Sequence, residues 1–145
     1  MIQLNFNALL EESIFILCYI AGKRAKDADE YFRLAPCKDD MLLLQKFAEE
    51  ALERLASNLI RWWKDHYLTL GTLVIEIDVP ENFSSDRVIY FIKTILISSI
   101  VSRWLNISND SATGEWQART DALIDSLRTR LRSEGKLILR RLSPM

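Results

Sequence analysis

The sequence predicts a mainly α domain of four principal helices packed around a central apolar helix, with a short β-hairpin or strand between helices 2 and 3. Three observations carry this prediction. The 145 residues include only four Gly and three Pro, which favours long helices with few turns. The stretch Ser84–Ile107 is apolar almost without a break from Val88 to Val101, and only a multi-helix domain can bury such a helix. One short segment, residues 72–79, alternates apolar and polar side chains.

The composition indicates a soluble globular protein with a single domain over residues 1–145. Hydrophobic residues make up 49% of the chain and charged residues 27%. The net charge of −1 argues neither for nor against a polyanionic partner. Two cysteines do not make a disulfide framework, so we expect a reducing compartment. The N-terminus has no basic segment, so the apolar residues 14–21 do not indicate a signal peptide.

The first helix is predicted to begin near Asn5 or Asn7, because either side chain can cap the free N–H groups of a first turn. Residues 14–21 are all apolar, which predicts a helix packed on several sides. This run is about half as long as a membrane span requires. Gly22 and the basic residues after it mark the end of the helix.

Residues 27–38 are predicted to connect the first helix to the second, because Pro36 stops a helix that arrives from Leu34. Two aromatic residues, Tyr31 and Phe32, lie in this connector. They either fold back onto the core or lie at an interface.

The second helix begins at Asp39-Asp40 and carries apolar residues at alternating spacings of about three and four residues. This pattern predicts a helix that continues through Trp62 and Trp63. The two rings would point about 100° apart. One ring is therefore expected in the core and the other at the edge of the core or at an interface.

The alternating segment predicts a half-buried strand that places Ile75 and Ile77 on its apolar face and that Pro80 ends. A single strand needs a partner for its backbone groups. Tyr67–Leu70 is the favoured partner, through a turn at Gly71-Thr72. The alternatives are Lys136–Leu142 and an equivalent strand of another subunit, so Ile75 and Ile77 are also candidates for an interface.

The central helix is predicted over Ser84–Ile107, with Ser84 or Ser85 as its cap, and its apolar run looks too short and too polar to span a membrane. Residues 106–114 form a linker to the last helix, which Gly135 is expected to end. A basic tail, residues 136–145, follows. The last twenty residues contain six cations against one acid. The candidates for contact with nucleic acid phosphates are therefore Arg128, Arg132, Lys136, Arg140 and Arg141.

No motif of the sequence indicates an enzyme, a metal site or a cofactor. There is one histidine, His66, which is expected to lie at the end of the second helix in a structural role. Neither a glycine-rich phosphate loop nor a C-x-x-C pair is present. The chain is therefore predicted to be a non-enzymatic protein without metal or cofactor.

The order of the elements resembles that of the small head–tail connector (adaptor) proteins of tailed phages and prophages. The resemblance is carried by Asp39-Asp40-Met41-Leu42, by the long helix LLLQKFAEEALERLASNLIRWW, by the segment TLVIEIDVP and by the apolar helix after it. The first helix is more apolar, and the last helix longer, than in that pattern.

This resemblance implies a helical structural protein that forms oligomeric rings between portal and tail. The expected partners are other copies of the chain and other virion proteins, with no membrane, and with DNA contact from the basic tail only as a hypothesis. The expected location is the cytoplasm of a bacterial host or the virion. The alternative function is a small helical regulatory or nucleic-acid-binding module, which would present basic side chains from a helix pair.

Overall fold

The structure, a computed structural model, describes residues 1–108 and 110–142, and of residues 134–142 it describes the helical backbone alone. The helices of this part of the chain are α1 (Phe6–Arg24), α2 (Ala28–Leu34), α3 (Met41–Asn58), α4 (Ser85–Ile107) and α5 (Thr113–Leu142). The strands β1 (Ile2–Asn5), β2 (Trp63–Thr69) and β3 (Thr72–Ile77) form one antiparallel sheet in the order β1-β3-β2. The prediction of a mainly α fold with a small β element is confirmed.

Strands β2 and β3 form a hairpin with a two-residue turn, Leu70-Gly71. Both turn residues have positive φ angles, 49° and 80°, as a type I′ turn requires. In the register of the hairpin, Trp63 lies opposite Ile77 and Leu68 lies opposite Leu73. Of the partners that the sequence leaves open for the alternating segment, the structure therefore contains the local one.

The N-terminal strand β1 is an element that our prediction from the sequence does not include. Its residues Ile2 and Leu4 pair with Ile75 and Leu73 on the other side of β3, and both are buried. The apolar side chains of Ile2 and Leu4 alternate with polar ones, but the segment has only four residues and its partner lies far along the chain, so the pattern does not indicate the pairing. The first helix starts directly after it, where the side chain of Asn5 accepts a hydrogen bond of 3.0 Å from the amide of Ala8.

The prediction that the second helix continues through Trp63 is wrong, because α3 ends at Asn58. The amides of Trp62 and Trp63 both donate to the carbonyl of Leu59, at 2.9 and 2.8 Å, and this turn leads the chain into β2. Leu59 and Trp63 are buried all the same. Leu59 and Trp63 have the spacing of a helix in the sequence, but they reach the core from a turn and from the start of β2.

Residues 27–38 contain a short helix, α2, where the sequence predicts only a connector. The side chain of Asp27 accepts a hydrogen bond of 2.8 Å from the amide of Glu30 and caps this helix. Asp29 and Glu30 also lie in the first turn, where the helix dipole favours acidic side chains. Capping and charge thus start a helix that Ala35 and Pro36 then end.

Helix α4 has 23 residues, of which twelve are buried. It packs against α1, α3, α5 and β1. By length and composition alone it would be able to span a membrane, contrary to the expectation from the sequence, because the helix extends beyond the run Val88–Val101 at both ends. In the fold, 72% of its most apolar window is buried against the other elements.

Helix α5 continues past Gly135 to Leu142, so the prediction that Gly135 ends it is wrong. A glycine inside a helix costs only about 1 kcal/mol relative to alanine, which flanking helix-forming residues can offset. Because the backbone of Lys136–Leu142 is helical, this segment is not the partner of the alternating strand.

Candidate functional site

Two aromatic rings on α1 face solvent one helical turn apart. Phe15 is 72% exposed and Tyr19 is 59% exposed, and their i, i+4 spacing places them on the same face. The opposite face of α1 is buried and includes Leu9, Leu10 and Leu17. The prediction that this helix packs on several sides is therefore wrong, because α1 lies at the outside of the fold and buries one side only.

Helix α2 adds two more rings beside α1. The rings of Tyr31 and Phe32 meet edge to face with centroids 5.7 Å apart, and Phe32 is 77% exposed. Interaction with the side chain of Cys18 on α1 raises the pKa of Tyr31 above its ordinary value. Phe15, Tyr19, Tyr31 and Phe32 are called the aromatic surface below.

Three of the side chains that the sequence proposes for an interface belong to the core. Ile75 is fully buried, and Trp63 and Ile77 are each 8% exposed. The assignments of Ile75 and Ile77 are corrected by the position of β3, which is the central strand and turns this face toward the helices. Trp63, opposite Ile77 on β2, is the ring of the Trp62-Trp63 pair that lies in the core. Trp62 is half-buried, and the guanidinium of Arg61 lies 5.8 Å from the centre of its ring.

A cleft of about 450 Å³ opens between α3 and the hairpin. It is called the acidic cleft below. Its apolar floor is formed by Phe6, Leu52, Leu68 and Leu73. Its rim carries four charged side chains, Lys46, Glu49, Glu50 and Glu53. Leu68 lies on the same face of the sheet as its partner Leu73. Because β2 is an edge strand, no further strand covers Leu68, and its side chain remains accessible in the cleft.

His66 lies at the wall of the acidic cleft, on β2 and not at a helix end as the sequence suggests. Its Nδ1 accepts a hydrogen bond of 3.0 Å from the indole N–H of Trp63. Its Nε2 lies 3.3 Å from a carboxylate oxygen of Glu53. Because the indole can only donate, Nδ1 is the acceptor in this bond, and Nε2 is the ring nitrogen that faces Glu53. This chain of contacts fixes the ring and links the hairpin to α3.

None of the described basic residues of α5 lines the acidic cleft. Arg128 forms an ion pair of 3.0 Å with Asp125, and Arg132 is exposed. The guanidinium of Arg130 lies 5.4 Å from the ring centre of Phe91 on α4. The side chains of the other candidate residues for nucleic acid lie outside the described part of the chain, and these are Lys136, Arg140 and Arg141.

Arg130 also lines a second hollow, of about 340 Å³, between the start of α4 and α5. The other residues around it are Asp86, Arg87, Tyr90 and Phe91. This hollow and the acidic cleft share no residue. The chain therefore presents an acidic concave surface and a basic one at separate places.

Within the described residues, no group of three or more His, Cys, Asp or Glu side chains is placed to hold a metal ion. No family model, curated protein or solved structure matches the chain. The fold and its surfaces are therefore the basis for any statement about function.

The exposed pair on α1 is a feature that the sequence reading misses. Residues 14–21 are uniformly apolar, so their hydrophobicity does not distinguish a buried face from an exposed one. Flanking charges carry a signal: Glu11 and Glu12 precede Phe15 by one turn, and Lys23 follows Tyr19 by one turn. In the structure, the ammonium group of Lys23 lies 4.6 Å from the ring centre of Tyr19. Charged neighbours at this spacing mark the solvent side of the helix.

Proposed function

We propose that this chain is a non-enzymatic assembly protein that acts by contacting other protein subunits, including further copies of itself. The aromatic surface is the observation that supports this function best. Three of its four rings are more than half exposed, at 72%, 59% and 77% for Phe15, Tyr19 and Phe32. Aromatic side chains are enriched at surfaces that pack against another protein.

Among assembly proteins, a head–tail connector of a phage or prophage is the type that the order of the elements favours. In this proposal α4 is the central helix around which the principal helices pack, and the surfaces outside it bind the neighbouring subunits. The partners are other copies of the chain, portal and tail proteins. The place of action is the host cytoplasm or the virion. The support is the resemblance carried by Asp39-Asp40-Met41-Leu42 and the helices around it.

The aromatic surface is tested by the double substitution Phe15→Ser and Tyr19→Ser. Both side chains are largely exposed, so the fold should persist while the protein loses apolar contact area. We expect sedimentation velocity to show smaller species than for the wild-type protein at equal concentration.

The matched control is Leu42→Ser with Ile60→Ser. These side chains are 80% and 78% exposed but lie outside the aromatic surface, on and after α3. This control should sediment like the wild-type protein. A double variant at Phe15 and Tyr19 that assembles as the wild type does would contradict the proposed role of the aromatic surface.

A regulatory or nucleic-acid-binding module is the second candidate, supported by the exposed Arg130 and Arg132 on α5. Binding to phosphates would weaken steeply as salt rises, because each neutralised phosphate releases counterions. A gel-shift series against salt separates the two functions. As an assembly protein, the chain should leave duplex DNA unshifted at physiological salt, whereas tight binding with a steep salt dependence would favour the regulator.

A further inference from the structure

The acidic cleft has the chemistry of a site for a side chain that is both apolar and cationic. Its floor is apolar, and its rim carries three glutamates against one lysine. Glu50 is paired with Arg103 at 3.0 Å, and Glu53 contacts His66. Among the described residues, Glu49 has no cation within salt-bridge distance. An arginine or lysine places an aliphatic stem on such a floor and its charge at such a rim.

The basic end of α5, residues 128–142, is the segment of this chain that matches the cleft. Its sequence, RTRLRSEGKLILRRL, contains six arginine and lysine residues, four leucines and one acid. The described side chains Arg130 and Arg132 are exposed. The whole chain has a net charge of only −1, although the rim of the cleft is acidic and this segment is basic.

Within one molecule, no described side chain of α5 lines the acidic cleft. Helix α5 contacts α3 through an ion pair between Arg54 and Asp121. From Asp121 to Arg130 the helix advances roughly 13 Å, at about 1.5 Å per residue. Arg130 then lies against Phe91, near the start of α4, and not at the acidic cleft. If Arg130 and Arg132 enter an acidic cleft, that cleft therefore belongs to another copy.

We propose that the acidic cleft of one copy binds the basic end of α5 of the next copy. Because the two surfaces differ, the contact is heterologous and joins subunits head to tail. The inference rests on the proposed assembly function, for which it names one contact between copies. The attraction between the opposite charges strengthens as salt is lowered.

Charge reversal on each side tests this contact. The cleft variant is Glu49→Lys with Glu53→Lys, and the basic-end variant is Arg130→Glu with Arg132→Glu. Each places like charges opposite one another, so we expect each to raise the dissociation constant for self-association about tenfold or more. Light scattering at several concentrations measures this constant. Circular dichroism on each variant checks that the helices are retained.

An equal mixture of the two variants provides the decisive comparison. The unchanged cleft of the basic-end variant then meets the unchanged basic end of the cleft variant. The lysines in the cleft of the cleft variant meet the glutamates in the basic end of the basic-end variant. We expect the mixture to recover the molar mass of the wild-type protein. The control Asp39→Lys with Glu81→Lys reverses two exposed acids away from the cleft and should assemble normally.

The outcomes separate this inference from the proposed function. If wild-type protein assembles and either variant assembles equally well, or the mixture fails to recover, the contact is wrong and the assembly function stands. If wild-type protein has the mass of one chain at every concentration, both are wrong.

Discussion

At the scale of single residues, the turn between β2 and β3 contains a strained backbone conformation at Leu70. Leu70 has a φ of +49° and its side chain is completely exposed. A left-handed conformation is costly for leucine because its Cβ approaches the following carbonyl oxygen. Asparagine tolerates this conformation and is preferred at that position of a type I′ turn. The sequence thus places a poor turn residue where no packing compensates.

The substitution Leu70→Asn is therefore expected to stabilise the protein. The gain in the free energy of unfolding should be about 0.5 to 1 kcal/mol, since strain is removed and no buried contact is lost. Urea unfolding followed by circular dichroism measures the change. A loss of stability in this variant would mean that the side chain of Leu70 makes a stabilising contact that is absent from the structure.

The neighbouring substitution Gly71→Ala should have the opposite sign. Gly71 has a φ of +80°, and a Cβ there would lie 3.3 Å from Nδ2 in the side chain of Asn7. We expect a loss of about 1 to 2 kcal/mol in the free energy of unfolding, measured in the same way. A neutral result would indicate that the turn adopts another type.

At the scale of the elements, β1 connects the start of the chain to the middle of the sheet. Leu4 is buried beside Leu73, whereas Gln3 points to the other face and is exposed. The amide of Phe6 also donates to the carbonyl of Gly71 at 2.9 Å, so the start of α1 is bonded to the turn of the hairpin. A four-residue strand therefore fixes the position of the first helix.

Substitutions in β1 should follow the alternation of its side chains. Leu4→Ala removes a buried side chain and is expected to lower the free energy of unfolding by about 2 to 5 kcal/mol. The matched control Gln3→Ala should change it by no more than about 0.5 kcal/mol. Chemical denaturation of both proteins makes the comparison. Equal effects would show that β1 does not pack as the structure describes.

The elements also differ in how far the sequence predicts them. The bodies of the long helices and the hairpin partner follow local periods and turn residues, so the sequence predicts them. The pairing of β1 and the end of α3 at Asn58 are not predicted, because contacts with residues distant in the sequence decide them. The continuation of α5 past Gly135 is not predicted either, because a glycine inside a helix costs too little to end it. Of the aromatic surface, the sequence indicates Tyr31 and Phe32 but not Phe15 and Tyr19, since a uniformly apolar run does not reveal which side faces solvent.

At the scale of the whole molecule, most apolar residues form the core, whereas the aromatic surface remains exposed. Helix α4 lies among α1, α3, α5 and β1 and gives most of its surface to the core. The aromatic rings of α1 and α2 stay outside. The acidic cleft and the basic end of α5 add charges of opposite sign at separate places. A molecule with these three surfaces has the means to contact several neighbours at once.

The molar mass of the wild-type protein in solution tests the assembly function most directly. Size-exclusion chromatography with light scattering, run over a wide range of concentrations, measures it. The proposed function predicts a mass that is a multiple of the mass of one chain, or that rises with concentration toward such a multiple. A mass of one chain at every concentration would contradict it.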